Sequence, residues 1–257
     1  MGLIVTDRHT KHDLAAWEKW QRVDREHALR LGKRFESMVA KSAEVMRAFA
    51  AEGPCYLGIS WGKDSVVCAH IAATHAIDVP CVWVRLDDEE NPDCPLVRDA
   101  FLARFALDYH EIRAEVGSDE RGGRRTTAGF AECSRRFGDR HISGVRADES
   151  RVRKIVMAKL GDSSERTCRP IGWWRTEDVF AYLTLHDLPV HPAYGYLGAF
   201  PGGETYDRNR LRTAAIGGAR GLGHGRGAWE ARYYPEIAKR WWHEVDGAKT
   251  GPRRPKR

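Results

Sequence analysis

The residues best placed to do chemistry stand together at Ser60-Trp61-Gly62-Lys63-Asp64-Ser65. An apolar run, Cys55 to Ile59, leads into them, and a helical pattern from Asp64 to His75 leads out. A strand that turns through small and polar residues into a helix suits an anion. Amides at the helix N-terminus point to one spot, Gly62 permits close backbone approach, Ser60 and Ser65 add hydroxyls, and Lys63 adds a full positive charge. Asp64 can cap the helix or help hold a metal ion. An ordinary strand-to-helix turn would use Ser and Asp as caps in the same way, so other segments must decide. The common nucleotide loop, G-x-x-x-x-G-K-[ST], is excluded by spacing, because Gly58 stands too close to Gly62 and Asp64 follows Lys63.

The elements that must position this loop alternate along the chain. Strand-like runs at Pro80 to Leu86, Asp108 to Ile112 and His141 to Val145 are separated by helical spacings at Leu96 to Phe105 and Thr126 to Phe137. Helices follow at Glu149 to Lys159 and Arg175 to His186. This pattern predicts an α/β fold, a parallel twisted sheet with helices on both faces, whose ligands sit at the carboxyl ends of the strands. Residues 1–52 read as an N-terminal helical segment of two helices, 53–200 as the α/β core, and 201–257 as a Gly-rich stretch, a helix at Trp229 to Trp242 and a basic tail.

Three segments together resemble one family. The loop is similar to the pyrophosphate-binding loop S-G-G-x-D-S of the N-type ATP pyrophosphatases, the PP-loop or adenine nucleotide alpha hydrolase-like superfamily. Its K-D-S form is that of the phosphoadenosine phosphosulfate (PAPS) reductase family. Gly144-Val145-Arg146-Ala147-Asp148-Glu149-Ser150-Arg151 looks like that family's G-[IV]-R-x-x-E-S-x-R element. Arg169 to Trp174, with Asp178-Val179, Tyr182 and Leu188 to Tyr194, looks like its P-[IL]-x-x-W…D-V…Y…L-P-x-H-P-x-Y stretch. Trp61 departs from the pattern, which has glycine there, and is expected to alter access to the loop.

The resemblance implies an adenine nucleotide with its phosphates on Ser60, Trp61, Gly62, Lys63, Asp64 and Ser65. It also implies contacts from Leu86 and Asp87 after the second strand, and from Gly144, Arg146, Glu149, Ser150 and Arg151. Lys63, Asp64 and Arg146 would be the catalytic groups, with Arg146 neutralising charge at the α-phosphate, and Mg²⁺ would arrive with ATP, Asp64 and Asp87 being its candidate ligands. One branch of the family cleaves ATP between the α and β phosphates and transfers AMP to an acceptor. The other reduces a sulfonucleotide, using a C-terminal cysteine in an E-C-G-x-H motif and, in some members, an iron-sulfur cluster. No cysteine follows Cys168 and no Cys-Cys pair occurs, so the adenylating branch is favoured and neither an iron-sulfur cluster nor zinc is expected. Reduction would require Cys94, Cys133 or Cys168, whose polar neighbours suggest exposure, to take over.

Charge narrows the partners. The net charge is +6, yet Glu204 to Arg257 holds 13 basic and 6 acidic residues while the preceding 203 hold 29 and 30. The surplus therefore belongs to the C-terminal part and suits phosphates of a small molecule first. Arg220, His224 and Arg226 in the Gly-rich stretch form a second candidate anion or acceptor site, against the alternative of a flexible linker. ATP and an acceptor are the expected partners, with a protein partner or a homodimer compatible. A non-catalytic nucleotide- or nucleic-acid-binding subunit, docking through its basic tail, is the alternative of a different class. No apolar run is long enough to cross a bilayer and the first residues lack a signal-peptide pattern, so the expected location is the cytoplasm.

Overall fold

The computed structural model describes residues 2–85, 90–113, 126–196 and 227–239. Two helical patterns open the chain as α1 (Lys11–Leu31) and α2 (Lys33–Ala51). Thr10 starts α1 with a reciprocal cap: its side chain accepts from the Asp13 amide and the Asp13 carboxylate accepts from the Thr10 amide. Gly32, at φ 48°, divides the two helices, a conformation that costs glycine little.

The alternating region folds as β1 (Cys55–Gly58), α3 (Lys63–Thr74), β2 (Cys81–Arg85), α4 (Cys94–Leu102), β3 (Tyr109–Arg113), α5 (Thr126–Phe137) and β4 (Arg140–Ile142). Then come a 3₁₀ turn (Ala147–Glu149), α6 (Arg151–Leu160), β5 (Thr167–Cys168) and α7 (Thr176–Leu185). A second 3₁₀ turn (Pro192–Gly195) and α8 (Gly227–Tyr233) complete the named elements. The strands form one parallel sheet in the order β3-β2-β1-β4-β5. Side chains alternate across it as the strand period requires. Cys55, Leu57, Cys81, Trp83, Ile142 and Cys168 enter the large core beneath α2, α3 and α7, while Tyr56, Val82 and Ile112 pack with Cys133 of α5 on the opposite face. Helices thus cover both faces, as the α/β reading expects.

The N-terminal helices share the large core. The Trp17 and Phe180 rings lie 6.2 Å apart, His27 Nε2 is 2.8 Å from Asp178 Oδ1, and the Ser42 hydroxyl donates to the Pro170 carbonyl at 2.7 Å. A lone parallel bridge, Leu3 with Val190, ties the first residues to the segment after α7.

Several sequence expectations are corrected. β5 went unrecognised because two residues carry no periodicity. β4 is shorter than His141 to Val145: it ends at Ile142, and the segment that begins at Gly144 turns towards Asp64. The helix read through Trp229 to Trp242 stops at Tyr233, because Pro235 disfavours helical backbone at Tyr234; residues 235–239 are helical again, and 240–242 lie outside the described residues. Cys94, Cys133 and Cys168 are buried rather than exposed. No helix among the described residues is long and apolar enough to cross a membrane.

Gly138 sets the approach of β4 to β1. It has φ 97°, and a Cβ there would meet the Pro54 carbonyl oxygen at 2.9 Å. Gly138→Ala should lower the unfolding free energy by about 1–3 kcal/mol in urea titrations, through left-handed strain and backbone collision.

Candidate functional site

β1 runs on to β2 and β3 in one direction across the sheet, while β4 and β5 lie on its other side. The order therefore reverses between β1 and β4, and the segments leaving these two strands must diverge and open a crevice at their carboxyl ends. Those segments are Ser60 to Ser65 and Gly144 to Arg151. The two regions singled out as chemical are brought together by topology alone.

The loop closes on itself. Ser60 donates its amide to Ser65 Oγ at 3.2 Å, and Ser65 Oγ donates to the Gly62 carbonyl at 3.0 Å. Gly62 is the N-cap of α3 and has no side chain to cap it, so the role of cap does not fall to Asp64. Trp61 takes φ 56°, the left-handed region, which explains why glycine suits this position. Its indole does not govern access to the loop, contrary to expectation. It is fully buried, with the Trp83, Phe101 and Tyr109 rings 6.4, 5.8 and 5.5 Å away. Only its backbone is available to a phosphate.

Asp64 joins the two segments. One carboxylate oxygen accepts from Lys63 Nζ at 2.9 Å and the other from Arg146 Nε at 2.7 Å. Burial alone would raise the Asp64 pKa, but the two cations outweigh it and hold the carboxyl below its ordinary value. Lys63 and Arg146 are buried as well; desolvation works against their charged forms, but Asp64, joined by Tyr194 at Lys63 and by Glu149 and Asp148 at Arg146, outweighs it, so both are raised. Gly144 fits where nothing larger can, since a Cβ there would lie 2.9 Å from the Asp64 carbonyl carbon.

Arg146 was expected to face the α-phosphate. Its side chain is instead completely buried and holds Asp64, the Trp174 carbonyl at 3.2 Å and Asp148 at 3.5 Å. Asp148 in turn accepts from the Thr176 amide and hydroxyl, both at 2.9 Å, which ties the site to α7. Glu149 accepts from the Arg146 amide at 2.9 Å and pairs with Arg153, while Ser150 caps α6 by accepting from the Arg153 amide. These are structural tasks, and Arg151 is exposed. Leu86, Asp87, Arg220, His224 and Arg226 lie outside the described residues.

Asp64 does not fit as a magnesium ligand. Each of its oxygens already faces a cation, and a third positive charge would be repelled by Lys63 and Arg146. No group of three or more His, Cys, Asp or Glu side chains converges on a metal position among the described residues.

Three residues not chosen as site residues from the sequence support the loop. The Tyr194 hydroxyl lies 3.4 Å from the Lys63 amide, and its ring lies 5.5 Å from Lys63 Nζ. Cys94 Sγ is 3.7 Å from the Ser60 carbonyl oxygen and 3.7 Å from His191 Nε2, while His191 Nδ1 accepts from the Ala193 amide at 3.1 Å. Tyr194 and His191 belong to a stretch already quoted for its pattern; nothing in the sequence pointed to Cys94 as their neighbour. Burial pushes the Cys94 thiol well up, and Glu90 and Asp93 add to it. Burial lowers the His191 pKa to about 3, with Arg8 contributing.

The chain is similar to curated relatives that are phosphoadenosine 5'-phosphosulfate reductases. It is 25% identical to that of Synechococcus sp. over 167 residues, 55% of this chain and 70% of the relative. It is 26% identical to that of Xylella fastidiosa over 180 residues, 61% of this chain and 76% of the relative. No family model matches the chain. Among solved structures, PAPS reductase from Candida auris in a phosphate complex covers 70% of this chain and 97% of that one, at a TM-score of 0.46 and 18% identity. NMN synthetase from Francisella tularensis covers 87% of this chain and 99% of its own, at a TM-score of 0.44 and 12% identity. The resemblance read from the loop and its two companion segments is to the family that the curated relatives represent.

Trp61→Gly should relieve left-handed strain of about 1 kcal/mol yet remove a fully buried indole, whose loss costs about 3–5 kcal/mol. Net destabilisation of about 2–4 kcal/mol is expected in denaturant titrations. His191 gives the second test. An unfolded histidine binds a proton near pH 6.5, whereas folded His191 stays neutral down to about pH 3. Between those values the unfolded state holds the extra proton, so stability should fall by about 1.4 kcal/mol per pH unit as pH drops. His191→Gln should flatten that slope between pH 6 and 4.5.

Proposed function

Taking the PAPS reductase resemblance as the premise, we propose that this chain binds an adenine nucleotide with its phosphates on Ser60 to Ser65 and cleaves ATP between the α and β phosphates. The burial of every cysteine carries the preference for cleavage over reduction. All six are buried, and Cys94, the thiol beside the loop, is held protonated by burial and nearby carboxylates. A reductive attack needs an accessible thiolate, which such surroundings disfavour.

The chain's own residues have distinct tasks in this reading. Loop amides and the Ser60 hydroxyl hold the β and γ phosphates at the start of α3, where the helix dipole favours negative charge, while Ser65 shapes the loop through Gly62 and Ser60. Lys63, Asp64 and Arg146 carry one net positive charge beneath that point. Arg146 acts as a positioning residue, since it reaches the loop through Asp64. An acceptor atom attacks the α-phosphorus and forms a new P–O or P–S bond; the α–β bridging bond breaks and pyrophosphate leaves with its electron pair. Positive charge and oriented amides stabilise that leaving group. Mg²⁺ bound to the phosphates would supply further charge neutralisation, but Asp64 is not its ligand.

Incubation with Mg-ATP and candidate acceptors (sulfate, thiols, amino acids, nucleic acid), with products read by mass spectrometry, tests this. Pyrophosphate and an AMP–acceptor adduct are expected, with turnover falling by about 100-fold or more in Lys63→Ala and by about tenfold in Ser60→Ala. Unchanged pyrophosphate release in both variants would overturn the reading. The relatives' names favour one second reading, reduction of a sulfonucleotide; sulfite release from PAPS with a thiol reductant, abolished in Cys94→Ser, would establish it.

A further inference from the structure

A cavity of about 240 Å³, not lined by the loop itself, lies between the carboxyl ends of β4 and β5 and the helix α6. Strand alternation builds its floor. His141 and Thr167 are register partners on one face of the sheet, and the next positions on that face, two residues on, are Ser143 and Arg169. Arg153, Val156 and Met157, spaced as one face of α6, form the opposite wall. Gly172 lets α6 approach closely, because a Cβ there would collide with the Met157 side chain.

The polar groups of this cavity are incompletely satisfied. One terminal guanidinium nitrogen of Arg169 and the Ser143 hydroxyl are both buried without a hydrogen-bond partner among the described residues. An unmatched buried donor costs about 1–3 kcal/mol, more when it is charged, so one beside a cavity calls for an explanation such as a bound water or ion. Among the described residues no carboxylate lines the cavity, and two arginines do. Arg153 is already paired with Glu149, which leaves Arg169 as the cation with bonding capacity to spare.

We propose that this cavity is an oxyanion-binding site, with Arg169 and Ser143 as its principal donors. Sulfate, phosphate or the oxyanion end of a larger substrate has the required chemistry: several acceptor oxygens and negative charge to match a planar guanidinium and a hydroxyl. The volume, roughly eight waters at about 30 Å³ each, holds a tetrahedral anion with a small substituent. Neutral His141, its pKa lowered first by burial and then by Arg169, supplies a hydrogen bond without adding charge. The site lies next to the nucleotide loop without being part of it. Gly144 packs on Asp64, while its neighbours Ser143 and Val145 line the cavity. The site does not depend on the cleavage reading, because it is tested by binding alone.

Calorimetric titration of the full chain with sodium sulfate, sodium phosphate and AMP separates a free oxyanion from a nucleotide phosphate as ligand. Anomalous diffraction from crystals soaked in selenate locates the anion. Selenate beside Arg169 is expected, with binding of the preferred ligand weakened about tenfold or more in Arg169→Gln and severalfold in the milder Ser143→Ala. Arg166→Gln, which removes an exposed charge outside the cavity, should leave affinity within about twofold. Selenate found only at Ser60 to Ser65, or affinities in Arg169→Gln and Ser143→Ala equal to that of the unaltered protein, would overturn the proposal.

Discussion

The carboxylate of Asp64, gripped by Lys63 on one side and Arg146 on the other, is the interaction on which the candidate site rests. It joins the segment after β1 to the segment after β4 across the switch point of the sheet. Removing one member of such a buried set leaves an uncompensated charge, typically a loss of about 3–5 kcal/mol. The three groups hold one another in place, so the proposed phosphate binding would need no reorganisation of the loop. The same reasoning explains Gly144, because the two segments meet backbone to backbone and leave no volume for a methyl group.

Around this bridge the surrounding elements act as supports. Asp148 and the Trp174 carbonyl fasten Arg146 to the start of α7. Tyr194 and His191, on the turn after α7, brace the loop from the other side, with Cys94 of α4 between His191 and Ser60. The first residues of the chain also contribute: Arg8 pairs with Asp93 and lies 4.9 Å from the Tyr234 ring centroid. Segments far apart in sequence thus support one crevice, as an open parallel sheet permits when its switch point lies at its centre.

Trp61 illustrates how local and tertiary demands conflict. Its backbone conformation asks for glycine, yet the pocket formed by Trp83, Phe101 and Tyr109 is filled by an indole. Burial of a large aromatic ring outweighs the strain of a left-handed residue by a few kcal/mol. The cysteines follow the same principle: polar neighbours in sequence suggested exposure for Cys94, Cys133 and Cys168, but packing decides burial and all three are covered.

The sequence by itself determined the strand and helix alternation and the parallel sheet, and it marked Ser60 to Ser65 as the candidate anion loop, because period, turn chemistry and helix starts are local properties. It also marked Gly144 to Arg151 and the stretch ending at Tyr194 as belonging with that loop. Only the tertiary structure decided what these residues do to one another. Arg146 as a buried partner of Asp64, Glu149 and Ser150 as caps, Cys94 between Ser60 and His191, and the floor made by His141, Ser143, Thr167 and Arg169 all depend on strand order and register. A two-residue strand such as β5 has no period to read, yet it carries Arg169 to the edge of the cavity. Residue type is written along the chain; which charges share a carboxylate and which face open space follows from the order in which five strands pair.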